Sequence, residues 1–462
     1  MAFLDEATLR AHAGSALVEG GAAVSYGTFA GRAAAVADQL VAAGIEPGDP
    51  VGLVSSQRRL DEPVALMGIL LAGATAVPLE ARAPERRWRE ILDLAGARAV
   101  VVDDATKLVH AAARVELDEE GFVLATVGDP RPPLQPPAPE RAMLLHTSGS
   151  TGEPKPVPIT WEALDVFTAW LGSLVGLGPE RRVLRVAELT FDLALFDHLA
   201  TWRHGATLAL LPRRAFSQAR ALHAAVSEAR PHVIYGVPAL FQSLVAGGPA
   251  PACLDHLCFA GERYPAAALA ELVQWAPPAA RLFNLYGPTE TNVCTFHELD
   301  RATWDGGDLP IGRACPYAEC RLVAADGEEV IGEGEGELWV TGPTALGGEV
   351  ATGDRVRCDA RRDYHFLGRL DRMVKIAGRR VDPAEVEAKL GTHPGVRAAA
   401  VVSADDPRLG RVLVAHVEGD VEASALRRHV RDCLPPHMVP ERVVVVEHLP
   451  RTAHGKVDYA AL

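Results

Sequence analysis

Between residues 145 and 155 the chain reads Leu-His-Thr-Ser-Gly-Ser-Thr-Gly-Glu-Pro-Lys, so that hydroxyl residues and glycines alternate and a lysine follows. Glycines let a backbone approach an anion closely, while backbone N–H groups and hydroxyls supply hydrogen-bond donors and the lysine supplies positive charge. The pattern predicts a phosphate-binding loop, although Lys155 is spaced differently from the lysine of a P-loop. The apolar run 142–145 predicts a buried strand ahead of the loop, and open α/β sheets bind ligands at strand ends.

Length, charge and cysteine usage restrict the class of protein. The 462 residues are about three times a typical domain, and the net charge of −14 with no basic block argues against a nucleic-acid partner. Seven cysteines without Cys-x-x-Cys spacing suit a reducing cytosol and argue against a zinc ribbon. Neither a signal peptide at residues 1–6 nor an apolar run of membrane-spanning length is found. We therefore expect a cytoplasmic, multidomain enzyme with no membrane association.

Strand and helix patterns alternate along the first part of the chain. Apolar residues at helical spacing predict helices at 26–43 and 85–94, and short apolar runs predict strands at 51–54, 74–79 and 99–102. Alternation of this kind predicts a mostly parallel sheet with helices on its faces.

The pattern changes after residue 309. Short strands separated by Gly–Glu turns predict a β-rich subdomain, and the last ninety or so residues predict a compact α+β unit. The predicted class is α/β, with a large N-terminal domain, residues 1–370, that contains two βα-layered subdomains and the β-rich subdomain. Residues 371–462 are predicted to form a small, mobile α+β domain.

Two further stretches carry polar groups at predicted strand ends. Asp192 lies in an apolar surround, and Tyr286 and Glu290 lie close together in the run 284–291. The Tyr286 ring could stack on a flat ligand ring, and Glu290 could hold a divalent cation shared with phosphate oxygens. Read alone, Asp192 is equally compatible with a helix N-cap, and Glu290 with an exposed acid in a Gly-Pro turn.

Five motifs follow one another across nearly the whole chain, at residues 145–155, 284–291, 352–354, 368–378 and 452–456. In this order they resemble the adenylate-forming superfamily, which comprises acyl-CoA synthetases, luciferases and the adenylation domains of nonribosomal peptide synthetases. The chain looks most like a freestanding adenylation enzyme of the peptide-synthetase branch.

The resemblance implies ATP and Mg²⁺ as cofactors and a role for each motif. Lys456 would be the catalytic lysine that bridges the substrate carboxylate and the α-phosphate, and Glu290 would hold Mg²⁺. Asp371 would be a hinge about which the small domain swings, presenting either Lys456 or the side that carries Gly378. The residues implied to bind ATP are Thr147, Ser148, Gly149, Ser150, Thr151, Gly152, Lys155, Gly261, Glu262, Arg263, Asn284, Tyr286, Gly287, Thr289, Asp354, Phe366 and Arg369. Among them, the loop 147–155 would hold the β- and γ-phosphates, residues 261–263 and Tyr286 would flank adenine, and Asp354, supported by Arg369, would bind both ribose hydroxyls.

The resemblance also implies a substrate, because Asp192 falls where amino-acid-activating members pair a carboxylate with the substrate ammonium. The implied lining residues are Asp192, Leu193, Phe196, Tyr235, Cys258, Ala260, Leu285, Val293 and Cys294. None could pair with a charged side chain, and Phe196, Tyr235 and Leu285 leave room only for a small apolar group. The set resembles that of L-prolyl-carrier-protein ligases and favours L-proline, with other small apolar amino acids remaining open.

The sequence also bears on the acceptor of the aminoacyl group and on two alternative functions. No carrier-protein attachment motif follows Lys456, so the expected acceptor is a separate peptidyl carrier protein that bears phosphopantetheine. The alternatives are an acyl- or aryl-CoA ligase, against which Asp192 argues, and a non-catalytic nucleotide-binding module, against which Lys456 and Glu290 argue. The stretch 342–352 is shorter than in relatives of the family.

Overall fold

The computed structural model describes residues 3–54, 61–102, 113–116, 123–126, 137–148, 154–406, 410–451 and 457–462. Within these ranges the chain forms two large sheets, a small β-sheet subdomain and a C-terminal α+β domain.

The first large sheet is built from the N-terminal third of the chain. Its described strands lie in the order β6-β7-β5-β3-β4-β8-β9, with parallel pairing at the centre and antiparallel pairing at both edges. The elements are α1 (Glu6–Ala11), β1 (Ser15–Glu19), β2 (Ala22–Ser25), α2 (Tyr26–Ala42), β3 (Pro50–Val54), α3 (Asp61–Leu71), β4 (Thr75–Pro78), α4 (Glu85–Ala95), β5 (Ala99–Val102), β6 (Ala113–Glu116), β7 (Val123–Thr126), β8 (Arg141–Thr147) and β9 (Lys155–Thr160).

The second large sheet takes its strands from residues 182–314 and from the N-terminal hairpin β1–β2, in the order β16-β15-β14-β13-β12-β10-β11-β1-β2 among described residues. Strands β10 to β14 are parallel. The elements are α5 (Trp161–Leu174), β10 (Arg182–Leu184), α6 (Leu193–Leu195), a π-helical turn (Phe196–Ala200), α7 (Thr201–Arg203), β11 (Thr207–Leu210), α8 (Ala219–Ala229), β12 (Val233–Gly236), α9 (Pro238–Gly247), β13 (His256–Phe259), α10 (Ala266–Trp275), β14 (Arg281–Tyr286), β15 (Thr295–Glu298) and β16 (Arg313–Ala314).

Helix α3 is apolar on every side, which is the pattern of a helix with no face in water. Its residues from Asp61 to Leu70 are buried, and it packs closely on α2. A Cβ atom at Gly68 would lie 2.5 Å from Cγ1 of Val36, so glycine is required where the two helices cross. The residues of both helices belong to one buried core that extends to the strands of both sheets.

The β-rich subdomain is a four-stranded antiparallel sheet in the order β17-β18-β19-β20. Its strands are β17 (Glu319–Val323), β18 (Gly334–Thr341), β19 (Glu349–Cys358) and β20 (Tyr364–Arg369). The short stretch 342–348 between β18 and β19 contacts the second large sheet, because the Leu346 backbone N–H donates to the Glu290 carbonyl oxygen at 2.8 Å.

The small C-terminal domain has its own apolar core. It contains the hairpin β21 (Val374–Ile376) and β22 (Arg379–Val381), then α11 (Pro383–Gly391), β23 (Val396–Asp406), β24 (Gly410–Gly419), α12 (Ala423–Arg431) and β25 (Arg442–Val446). The N-cap of α11 is Asp382, whose carboxylate accepts from the Ala384 backbone N–H, and Pro383 occupies the first turn. The α/β class with a large and a small domain is confirmed. No helix in the described ranges is long and apolar enough to cross a membrane.

Candidate functional site

Asp192 lies just before α6, at the carboxyl-terminal side of the parallel strands of the second sheet. Burial raises the pKa of its carboxyl group, and hydrogen bonds from the Thr289 hydroxyl and the Leu193 backbone amide, with the charge of Lys375, act in the opposite direction. No basic group of the described residues lies within 4.0 Å of this carboxylate as an ion-pair partner. Although Asp192 stands at the N-cap position, its side chain makes no capping hydrogen bond.

The other predicted lining residues come together around this acid. All eight belong to one buried apolar cluster, and the Phe196 and Tyr235 rings meet edge to face with centroids 5.6 Å apart. The Asp192 charge raises the pKa of the Tyr235 hydroxyl beyond the effect of burial, which places the two side chains near one another. We call this set of nine residues the hollow; it contains one acid and no base.

A second group of polar residues joins β14, β19 and β20. The Tyr286 hydroxyl donates to one oxygen of the buried Asp354 carboxylate, and Arg369 Nη1 donates to the other at 2.7 Å. Arg369 also makes two hydrogen bonds, of 2.9 and 2.6 Å, to the carboxylate of Asp371. The pKa of Asp371 is lowered because these bonds outweigh its partial burial. The residues predicted for ribose, base and hinge therefore form one network.

Gly353 is required by this network. Its φ of +70° is a backbone conformation that side chains disfavour, and a Cβ atom there would lie 2.7 Å from Nη2 of Arg369. Phe366 is on the neighbouring strand, with its ring centroid 6.5 Å from that of Tyr286.

The predicted phosphate loop connects β8 and β9, which form an antiparallel hairpin with Thr147 opposite Lys155. Residues Gly149, Ser150, Thr151 and Gly152 lie outside the described residues. Nζ of Lys155 lies 3.5 Å from Oε1 of Glu290, which is 6% exposed. The hairpin thus brings the predicted phosphate and metal residues together.

Further residues predicted to bind the nucleotide divide into two groups. Glu262 faces the small domain, where its Oε1 atom accepts from the Gly378 backbone N–H at 2.5 Å, and Gly261 lies against the same segment. Arg263 instead points to the surface, where it pairs with Asp308 and is more than half exposed. The Asn284 side-chain amide donates to the Pro310 carbonyl oxygen at 2.7 Å. Both side chains are engaged by other groups of the protein, and their predicted role in nucleotide binding stays a prediction.

Lys456 lies outside the described residues. Residues on either side of it are held on the small domain, since Arg451 and Val457 form an antiparallel bridge. Arg372 lies over the Tyr459 ring at 3.5 Å from its centroid. The arrangement described is the one in which the Gly378 side of the small domain faces the large domain.

Charged residues of the small domain close against the large domain, and the sequence reasoning gave them no role. We call these contacts the seam: Arg379 with Glu80 and Glu188, Arg380 with Glu290, Glu385 with Arg87, and Lys389 with Glu90. Lys375 is half-buried nearby; burial lowers the pKa of its ammonium group, while the charges of Asp354 and Asp192 raise it. The 368–378 motif, which contains Lys375, was the one feature of the sequence that pointed to this part of the small domain. It did not identify the residues that pair across the seam.

Comparisons with known proteins show the family to which the chain belongs. The family model described as "AMP-binding enzyme" matches residues 4–348, and that of the "AMP-binding enzyme C-terminal domain" matches residues 385–456. The chain is 34% identical to an L-proline–[L-prolyl-carrier protein] ligase of Streptomyces coelicolor, over 98% of this chain and 94% of that protein. It is 31% identical to a protein of the same name from Pseudomonas fluorescens, over 97% and 95%.

A solved structure shares the fold. The Vibrio cholerae adenylation domain AlmE, in complex with glycyl-adenosine-5′-phosphate, superposes with a TM-score of 0.82 at 22% identity, over 99% of this chain and 95% of that chain.

Proposed function

The chain belongs to the AMP-binding enzymes, and from that premise we propose that it activates a small apolar amino acid, L-proline first, as an aminoacyl-AMP. The aminoacyl group then passes to the phosphopantetheine thiol of a separate peptidyl carrier protein. Two full-length relatives named as L-proline–[L-prolyl-carrier protein] ligases support both the amino acid and the acceptor.

Asp192 is the observation that carries the choice of an amino acid. Its half-buried carboxylate lies beside the apolar residues of the hollow and lacks an ion-pair partner within the described residues, so desolvation raises its pKa and disfavours the charged form. An ammonium group beside it would supply the missing charge, whereas a plain carboxylic acid would leave the buried acid unpaired. The site is thus suited to a zwitterion.

The size of the hollow supports a small side chain. Phe196 and Tyr235 are fully buried and held against each other, and Leu285 is buried in the same apolar cluster. Because protein interiors are closely packed, enlarging such a space requires that a side chain move. The ring of proline is compact, and its secondary ammonium keeps the charge and two N–H donors.

The contacts also support a nucleotide and a metal. The Asp354 carboxylate, held by Tyr286 and Arg369, offers two acceptors at one point, which suits a pair of ribose hydroxyls. Glu290 is a nearly buried carboxylate beside Lys155 of the predicted phosphate loop, so its oxygens would hold Mg²⁺ together with phosphate oxygens of the nucleotide once Arg380 has withdrawn. When bound there with the nucleotide, Mg²⁺ would neutralise charge on the departing pyrophosphate.

In this proposal the protein contributes charge and alignment, and no covalent intermediate with the protein is needed. A carboxylate oxygen of the amino acid attacks the α-phosphorus and pyrophosphate leaves; the carrier thiolate then attacks the carbonyl carbon and AMP leaves. Lys456 serves the first step. Lys375, near both Asp192 and Asp354, is suited to stabilise negative charge in the arrangement described here. The two domains meet at residues 370 and 371, with Asp371 as hinge.

Amino-acid-dependent exchange of pyrophosphate into ATP, measured across all proteinogenic amino acids, tests the proposal. We expect L-proline to give the highest kcat/KM, and cyclopentanecarboxylic acid, which lacks the nitrogen, to be about 10⁴-fold poorer. Asp192→Asn should reduce that ratio to about tenfold, while Cys294→Ser, which keeps the acid, should preserve it.

Three outcomes would contradict the proposal. Exchange with no amino acid would refute the activity, and equal use of proline and its carbocyclic analogue would refute the role of Asp192. A CoA thioester formed without any carrier protein would instead favour a CoA ligase.

A further inference from the structure

Both oxygens of the Glu290 carboxylate are engaged by cations of the protein itself. Oε1 lies 3.5 Å from Nζ of Lys155, and Oε2 accepts from Nη1 of Arg380 at 2.8 Å. Lys155 belongs to the same domain as Glu290, but Arg380 is carried by β22 of the small domain. The buried Glu290 carboxylate, which the proposed function assigns to the metal, is therefore partly neutralised by Arg380 of the small domain.

Ser148, at the start of the predicted phosphate loop, is engaged by the same segment. Its hydroxyl donates to the Arg380 carbonyl oxygen at 2.9 Å and accepts from the Asp382 backbone N–H at 2.9 Å. A serine hydroxyl has one proton to donate, so it cannot also donate to a phosphate oxygen while this contact persists. Residues 380–382 thus occupy both a predicted metal ligand and a predicted phosphate ligand.

We propose that the Arg380 guanidinium and a divalent cation are alternative occupants of the Glu290 carboxylate, so that metal-bound pyrophosphate and the closed seam exclude each other. Arg380 is in this view a positioning residue: a cation fixed to the small domain that can reach Glu290 only after the metal and pyrophosphate have left. The proposal rests on the function proposed above, since it assigns Glu290 to the metal.

The neighbouring arginine offers a matched control. Arg379 carries the same charge and also crosses the seam, but it pairs with Glu80 at 2.7 Å and with Glu188 at 2.9 Å, and not with Glu290. Removing either arginine should loosen the seam, whereas removing Arg380 alone should make the seam insensitive to the metal.

Two backbone amides report directly on the closed seam, because each donates across it. They are Gly378 N–H, to Glu262 Oε1, and Asp382 N–H, to Ser148 Oγ. Hydrogen exchange of peptides that span residues 374–382 therefore measures closure without any catalytic turnover. The additions are MgCl₂ alone, methylenediphosphonate with EDTA, and both MgCl₂ and methylenediphosphonate, a non-hydrolysable pyrophosphate analogue.

In the unmodified protein we expect the combined addition to accelerate exchange of these amides about tenfold, which corresponds to about 1.4 kcal/mol. In Arg379→Gln the starting rate should be higher, and the same addition should still accelerate it about tenfold. In Arg380→Gln the starting rate should be higher, and the addition should accelerate exchange by no more than about threefold, because only the backbone contacts at Ser148 still compete with the phosphate analogue. Arg380→Lys, which keeps the charge, should retain most of the response and controls for a folding defect.

Equal responses of the two glutamine variants would overturn the proposal, and so would a full response to methylenediphosphonate in EDTA, which would leave the metal no part. The result is separable from the proposed function. If pyrophosphate exchange fails with every amino acid but the tenfold response appears, the exclusion stands and the activity does not; the converse result refutes the exclusion alone.

Discussion

The hollow and the seam are only a few residues apart, yet they are held together by different forces. The hollow is formed by buried apolar side chains from the ends of parallel strands, from α6 and the π-helical turn, and from the turn after β14, with Asp192 as its one charge. The seam is formed by ion pairs in which each partner comes from a different domain. Apolar packing is little affected by pH, moderate salt or competing ions, whereas the strength of ion pairs depends on all three. The hollow is thus suited to selecting a substrate without changing shape, and the seam is suited to opening and closing.

Phe196→Ala should give the largest effect on stability, because it leaves a space in a closely packed core. We expect the free energy of unfolding to fall by about 3–5 kcal/mol. Denaturant unfolding measures this loss. A loss below about 1 kcal/mol would mean that the hollow is loosely packed and would weaken the contrast with the seam.

Lys456→Ala should give the next largest effect, on rate rather than stability. Loss of one positioned charge at a transition state lowers kcat by about 10²–10³-fold. Pyrophosphate exchange measures the rate, and equilibrium dialysis should show unchanged ATP binding. Retained turnover would mean that residues of the hollow and the seam suffice for adenylation, and the role of this lysine would be wrong.

The Arg87–Glu385 pair tests whether the seam rests on charge. Nη2 of Arg87 lies 2.7 Å from Oε1 of Glu385, and both side chains are almost fully buried. A double-mutant cycle with Arg87→Met and Glu385→Gln should give a coupling energy of about 1–3 kcal/mol. Hydrogen exchange of residues 374–382 is the measurement, and additive effects would show that the pair contributes through packing alone.

The pH dependence of the closed seam should come from a half-buried histidine of the small domain that lies beside it. His437 lies between Arg379, Arg87 and Glu80, and burial with the two arginines holds its pKa well below the usual value. A histidine whose pKa is depressed on folding stabilises fully above its unfolded pKa, about 6.5, and this stabilisation is lost as the pH falls.

Between pH 6.5 and 5.5 we therefore expect a loss of about 1 kcal/mol in the free energy of unfolding, which thermal unfolding can follow. In His437→Gln the same pH range should produce a visibly smaller loss. An unchanged slope in that variant would assign the effect to another group, such as His146, whose pKa burial and Arg87 lower to about 3.

The smallest effect is expected at Arg263, which is implied by the family resemblance to flank adenine. In the structure its guanidinium is paired with Asp308 at the surface. Exposed pairs contribute less than about 1 kcal/mol, so Arg263→Ala should change the KM for ATP by less than about twofold. A tenfold rise in KM would restore the role in nucleotide binding that the described contacts do not support.

The sequence predicted the hollow better than the seam, for a physical reason. Residues such as Tyr235, Cys258 and Leu285 follow apolar strands, and parallel strands bring their carboxyl ends to one edge, so a strand pattern already implies their proximity. Arg379 and Arg380 are adjacent in sequence, but they face different acids, Glu80 and Glu188 for one and Glu290 for the other. Charge alone could not select among the many acids of the chain.

The predicted secondary structure is limited in the same way: local elements were predicted, but long-range pairings were not. The helix predicted at 85–94 and the strand at 99–102 appear almost unchanged, as α4 and β5, because their patterns are local. The N-terminal hairpin β1–β2 was not predicted, and it joins the second sheet beside β11, far along the chain. Such a pairing depends on which sheet has a free edge, which no local pattern contains. The π-helical turn at 196–200 was also not predicted, because the spacing of apolar residues indicates a regular α-helix and does not reveal a π-helical turn.

The turn that follows β14 links the two regions through the backbone. A Cβ atom at Gly287 would lie 1.6 Å from the carbonyl oxygen of Asn292, and Asn292 itself has a φ of +51°, so this turn has almost no freedom to change shape. Within it, Thr289 hydrogen-bonds to Asp192 and the next residue, Glu290, binds Arg380. In the proposed function, an amino acid at Asp192 and a metal at Glu290 would therefore act on the two ends of the single peptide unit that joins residues 289 and 290. Any side chain added at position 287 would disturb both events together.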